Sequence, residues 1–149
     1  MGALVLAPST LRDFLVNRAR SFIYATAPSP LIAAAVRAAL DIVQREPVRR
    51  TTLHARIAFA AQTLQAKTRH APSGSQIQPI IIGSDTRAVA LAAALRHSGF
   101  DIRAIRPPTV PEGTARLRLT ITLNTSEDEL AAVIVALADA EAVSYTHIR

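Results

Sequence analysis

The chain has 149 residues, half of them hydrophobic, and a net charge of +6 that comes almost entirely from arginine. That length suffices for one ordinary domain, or for a small domain with pieces of another. Cysteine is absent, which excludes a disulfide framework and a thiolate metal site; His54, His70, His97 and His147 are too scattered to form a local metal cluster.

Gly2 to Leu6 reads as the end of a buried strand, broken by Pro8. Ser9 is the expected N-cap of a first helix, since its hydroxyl can accept from free amides of the first turn. Leu11, Phe14 and Leu15 then recur at helical spacing. Ser21 to Thr26 is short and β-prone, and is expected to add a strand. Ser29 and Pro30 open a second helix over residues 31–46: serine caps, and proline at the first helical position loses no needed hydrogen bond. Pro47 stops or kinks it, and a third helix is expected from about Thr52 to Lys67.

Residues 69–76 form the clearest loop. Ile77 to Ile82 reads as a strand buried on both faces, because its isoleucines stand in a row. Ser84 and Asp85 cap a helix from about Thr86 to Ser98, with Gly99 at the position where glycine easily takes a positive φ. Phe100 to Ile105 reads as a strand, Arg106 to Gly113 as a proline-fixed turn, and Ala115 to Thr122 as a further strand. The last of these puts Leu117, Leu119 and Ile121 on one face and Arg116, Arg118 and Thr120 on the other. Ser126 and Glu129 have the spacing of a capping box for a last helix ending near Ala140. Residues 142–149 show no periodicity. The order strand–helix–strand–turn–strand–helix over 77–140 predicts an α+β sandwich, with antiparallel pairing across the turn and helices on one face of a small sheet.

The positive charge does not read as a nucleic-acid footprint. The arginines are spread along the chain, and no aromatic platform interleaves with them. No basic leader precedes residues 2–7, and no stretch reaches the roughly 20 apolar residues of a membrane span. The expectation is a cytoplasmic protein that binds neither nucleic acid nor membrane.

The proline turn is the segment with chemistry in it. Pro107, Pro108 and Pro111 restrict the backbone on which Arg106 is carried. A preorganised guanidinium suits a carboxylate or phosphate, because its planar fork makes paired charge-assisted bonds. A surface ion pair at a strand end is the alternative from spacing alone. A self-contained α+β module that binds a small anion would use the same residues.

The whole run from Ile105 to Leu119, IRPPTVPEGTARLRL, resembles the carboxylate-binding segment of the 8-amino-7-oxononanoate synthases. These are pyridoxal-phosphate (PLP) dependent α-oxoamine synthases of the fold-type I class. Relatives using other acyl-CoA substrates usually carry a different pair where Arg106 and Pro107 stand, and such a glycine- or other acyl-CoA-using synthase is the nearest rival within the class. The resemblance runs from Gly2 to about Leu137. It includes Arg18 to Thr26, which looks like the lead into the interdomain helix, and Gln78 to Gly83, which looks like the first strand of the C-terminal domain.

The resemblance implies an α/β (α+β) fold: the C-terminal small domain of a fold-type I transferase, with a mostly antiparallel sheet covered by helices, plus the end of the large domain. Residues 1–48 would end the large PLP-binding domain and start the interdomain helical segment. Residues 49–141 would form the small domain, and 142–149 an extension that need not be native sequence. It implies a homodimer with a shared active site, acting in biotin biosynthesis: L-alanine and a pimeloyl thioester, on CoA or a carrier protein, condense with loss of CO2. Arg106 would bind the α-carboxylate of the amino acid, Thr109 would lie beside the substrate, and Thr26 would reach the PLP phosphate of the neighbouring subunit. Arg116 and Arg118 would hold the domain interface; the bland alternative is the solvated face of an edge strand. No catalytic residue is implied within the chain. The Schiff-base lysine of the family stands before the glycine matching Gly2, and Lys67, the only lysine, matches a solvent-facing loop region. The chain alone is therefore expected to be inactive. One departure is the run Leu123 to Ser126, where many relatives have Ala-Ala-His-Thr.

Overall fold

The computed structural model describes residues 5–27 and 29–146, with side chains through residue 143. Two compact units are present, Met1–Pro47 and Val48–Arg149.

The first unit contains α1 (Ser9–Arg18), α2 (Arg20–Ile23) and α3 (Pro30–Arg45). None of these helices has a buried residue. Phe14, Phe22 and Leu31 are 59%, 57% and 75% exposed, so this unit presents an apolar surface. Ser29 caps α3 as expected, its hydroxyl accepting from the Leu31 amide at 3.3 Å, with Pro30 at the first helical position.

Three expectations fail in this unit. Of the first predicted strand, residues 2–4 lie outside the described residues, and Val5 and Leu6 are exposed and in no strand. Ser9 is not the N-cap of α1: the Arg12 amide already donates to the Pro8 carbonyl at 3.0 Å, so the ladder begins one residue earlier. Ser21 to Thr26 forms no strand. The amides of Phe22 and Ile23 both donate to the Ala19 carbonyl at 2.9 Å, closing the short α2. A strand needs a partner for its ladder, and no strand exists among the described residues of this unit.

The second unit is built from α4 (Pro47–Lys67), β1 (Ile77–Gly83), α5 (Asp85–His97), β2 (Arg103–Ile105), β3 (Ala115–Thr120) and α6 (Glu127–Thr146). Pro47 does end α3, but it also starts α4, five residues before the expected position, because proline at the first turn is compatible with a helix. The sheet is antiparallel in the order β1-β3-β2. Its core face carries Ile80, Leu117 and Leu119, which cluster with Leu64 of α4, Leu91 and Leu95 of α5 and Ile134 of α6. Leu64, Ile80, Leu117 and Ile134 are at most 1% exposed, and burial of each contributes about 1.5–3 kcal/mol.

The sheet is covered on one face only. In β1, Gln78 and Ile80 are each 1% exposed, whereas Ile77 and Ile81 are 44% and 47% exposed. The expected burial of that strand on both faces is therefore not met: among the described residues, Ile77 and Ile81 on the second face stay exposed while the core cluster gathers on the first. Nor is β3 an edge strand. It is central, which removes the edge-strand reading of Arg116 and Arg118. β2 is shorter than predicted because the start of the Phe100–Ile105 segment bonds elsewhere. The Gly99 amide donates to Arg96 at 3.0 Å and that of Phe100 to Leu95 at 2.9 Å, finishing α5 through the positive φ of Gly99. α6 continues to Thr146, past the expected end near Ala140.

Candidate functional site: the proline turn

The antiparallel pairing of β2 and β3 puts Ile105 opposite Arg116, and residues 106–114 span the gap between them. Inside the turn the Thr109 amide donates to the Arg106 carbonyl at 3.0 Å. The Pro107–Pro108 bond is cis. At the exit, Thr114 bonds twice to the Pro111 carbonyl, through its amide at 3.2 Å and its hydroxyl at 2.7 Å. Gly113 takes φ +73°. Across the sheet Gly83 takes φ +87°, and a methyl group there would stand 3.5 Å from the Gly113 carbonyl oxygen. The turn and the β1–α5 junction are thus in close backbone approach.

This approach encloses an open cavity of about 350 Å3 lined by Gly83, Ser84, Asp85, Pro107, Glu112 and Gly113. Ser84 caps α5 by accepting from the Arg87 amide at 3.4 Å, and Asp85 accepts from the Thr86 amide at 2.7 Å.

Arg106 is exposed, and among the described residues its side chain makes no hydrogen bond or ion pair. Its neighbour on β2 differs. Arg103 donates to Asp101 at 3.3 Å, and Arg96 contacts the other oxygen at 3.4 Å. The hydrogen bond and charge of Arg103, with those of Arg96, hold the Asp101 carboxyl below the usual carboxylate range. One guanidinium is engaged within the protein; the other is available to an anion. Thr109 is exposed in the same turn.

The remaining candidates lie on other elements. Thr26 is exposed and belongs to the first unit. Lys67 closes α4 and lines a separate cavity with His70 and Glu141, which pair at 2.9 Å. Sequence reasoning missed that pair, whose partners are 71 positions apart. It also missed the buried carboxamide of Gln78 and the bond from Arg116 Nε–H to the Thr114 carbonyl at 2.9 Å. The alternation of β3 placed Arg116 on the open face but does not specify which carbonyl it reaches, which is that of Thr114 two residues before it. Among the described residues no group of three or more His, Asp or Glu could hold a metal ion, and no helix is long and apolar enough to cross a membrane.

Residues 1–137 match the family model of aminotransferase class I and II. The 8-amino-7-oxononanoate synthase of Ralstonia pickettii is 46% identical over 143 residues, covering 91% of this chain and 34% of that protein. The enzyme of the same name from Saccharophagus degradans is 42% identical over 139 residues, covering 93% and 35%. This chain thus spans about a third of the length of the curated relatives it matches. Among solved structures, the fold is similar to 8-amino-7-oxononanoate synthase from Francisella tularensis (TM-score 0.75, 24% identity, 95% of this chain and 41% of that one). It is also similar to serine palmitoyltransferase from S. paucimobilis with a bound PLP–myriocin aldimine (TM-score 0.78, 19% identity, 90% and 34%). A match that takes in both units and the turn between β2 and β3 leaves one conclusion: the chain belongs to the aminotransferase class I and II family.

Proposed function

We propose that this chain supplies the carboxylate anchor of a PLP-dependent 8-amino-7-oxononanoate synthase of biotin biosynthesis, a cytoplasmic homodimer that condenses L-alanine with a pimeloyl thioester and releases CO2. The observation that carries this reading is the exposed guanidinium of Arg106, without a partner among the described residues, on a turn restrained by three prolines and by the bond from Thr109 N–H to its own carbonyl. Support comes from relatives of that name at 42% and 46% identity.

The residues present fit a contributor to a PLP site and not the whole of one. Arg106 offers donors for a substrate carboxylate, and Thr26 offers an exposed hydroxyl for the cofactor phosphate. Lys67 does not line the cavity beside the turn, and it is not proposed as the Schiff-base lysine. When bound, PLP supplies an electron sink for the charge left at the substrate Cα. Arg106 acts before that chemistry. Its fork binds the alanine carboxylate through paired charge-assisted bonds and so fixes the rotation of the amino acid about its Cα. Thr109, next to it in the turn, borders the bound amino acid. By itself this chain is proposed to have no condensing activity.

The test is Arg106→Ala in the complete synthase. The KM for alanine should rise about 100-fold, the loss expected for one partner of a charged pair. An unchanged alanine KM with a raised KM for the acyl thioester would move Arg106 to the other substrate's carboxylate and overturn the alanine assignment.

A further inference from the structure

We propose that Arg116 is a positioning residue that holds the Arg106 turn in its binding conformation; this rests on the reading of Arg106 as carboxylate anchor. Three observations meet at Arg116. First, it stands opposite Ile105 on β2, the residue immediately before Arg106, and opposite Ile81 on β1. It therefore occupies the last level at which all three strands are paired before the turn departs. Second, its side chain is half-buried, and Nε–H donates to the Thr114 carbonyl at 2.9 Å. Third, Thr114 is itself bound twice to the Pro111 carbonyl. The bonds form a short series from the paired sheet through Thr114 to Pro111, inside the turn.

The entry of the turn is secured by different means, through Ile105 in the ladder and the Thr109 amide on the Arg106 carbonyl. The exit contains Gly113 at positive φ, which by itself leaves the backbone free. On that side Arg116 adds a side-chain restraint from the paired sheet to that of the Thr114 hydroxyl. A charge-assisted bond is suited to this, being roughly twice as strong as a neutral one. Arg118, two residues on, is exposed and faces Pro79 and Arg103 in register, so it is not placed to do the same.

Arg116→Gln and Arg116→Lys test this. Lysine keeps the charge and the stem but has no N–H at the Nε position. In the 149-residue chain, amide exchange at Thr109 and Thr114 should accelerate about tenfold in both variants, the effect of losing one charged hydrogen bond, while amides of α5 exchange as before. In the complete synthase the alanine KM should rise about fivefold with kcat little changed, and Tm should stay near wild type. Unchanged exchange at Thr114, or faster exchange with an unchanged alanine KM, would overturn the proposal. Should Arg116→Gln fail to fold, Arg116→Lys decides by the same two readouts. If Arg106→Ala leaves the alanine KM unaltered, the carboxylate reading fails, and the exchange data still judge the contact between Arg116 and the turn.

Discussion

The carboxamide of Gln78 is buried to 1% exposure and holds the loop before it by both ends: Oε1 accepts from the Ser73 amide at 2.9 Å, and Nε2 donates to the Ser75 carbonyl at 2.6 Å. A polar side chain on the core face of β1 is tolerated because both of its groups are satisfied. Replacing it by leucine keeps the volume but leaves two loop groups without their partners. Gln78→Leu should destabilise the second unit by about 1–3 kcal/mol, measured by denaturant unfolding. A loss below a few tenths would mean that water replaces the carboxamide at no cost.

Gly83 meets two constraints at once, a φ of +87° and the Gly113 carbonyl oxygen 3.5 Å from where a methyl group would stand. The space is ordinary van der Waals contact, so the backbone angle is the larger cost. Gly83→Ala should cost about 1–2 kcal/mol. Gly74→Ala, also at positive φ but with nothing nearby, is the control for the conformational part alone.

The start of α6 is a reciprocal cap. Glu129 Oε2 accepts from the Ser126 amide at 2.8 Å and from its hydroxyl at 3.0 Å, and the Glu129 amide donates to that hydroxyl at 3.2 Å. Ser126→Ala should lower stability by about 1 kcal/mol in thermal or denaturant unfolding. The backbone bond from Ser126, then the hydroxyl bond, and last the charge of Arg56 hold the Glu129 carboxyl below its ordinary range. Its folded value thus lies below its unfolded value. The associated stability is present above the unfolded value, near pH 4–5 by about the usual glutamate range, and is lost as pH falls through the folded one. Glu129→Gln should flatten this part of the acid limb of the stability curve; an unchanged limb would show that the carboxylate is not the titrating group.

For Arg106, charge and geometry can be separated. Arg106→Lys keeps the positive charge and loses the planar fork. The alanine KM should rise about tenfold, between wild type and the alanine variant. A lysine variant equal to wild type would mean that the turn supplies only a point charge.

Much of the local structure of both units is legible in the sequence. Ser29, Ser84 and Ser126 cap helices through atoms two or three residues away. Gly99 ends α5, and the prolines of the 106–113 run mark a turn whatever surrounds it. These features depend on backbone preferences and short-range hydrogen bonds, so residue order alone determines them, as it determines that Arg106 sits on a restrained backbone. Pairing and burial are different. The isoleucine run of β1 reads the same whether one face or two are covered, and only the packing of α4, α5 and α6 on one side decided it. Ser21 to Thr26 has strand-forming residues, yet its first three residues coil into α2, and no strand among the described residues of its unit shares a ladder with it. The central place of β3, the burial of Gln78 and the pairing of His70 with Glu141 each depend on groups brought together by the folded chain. The physical reason is the same in all three: a hydrogen bond or a buried face has two sides, and the chain's own order specifies only one of them.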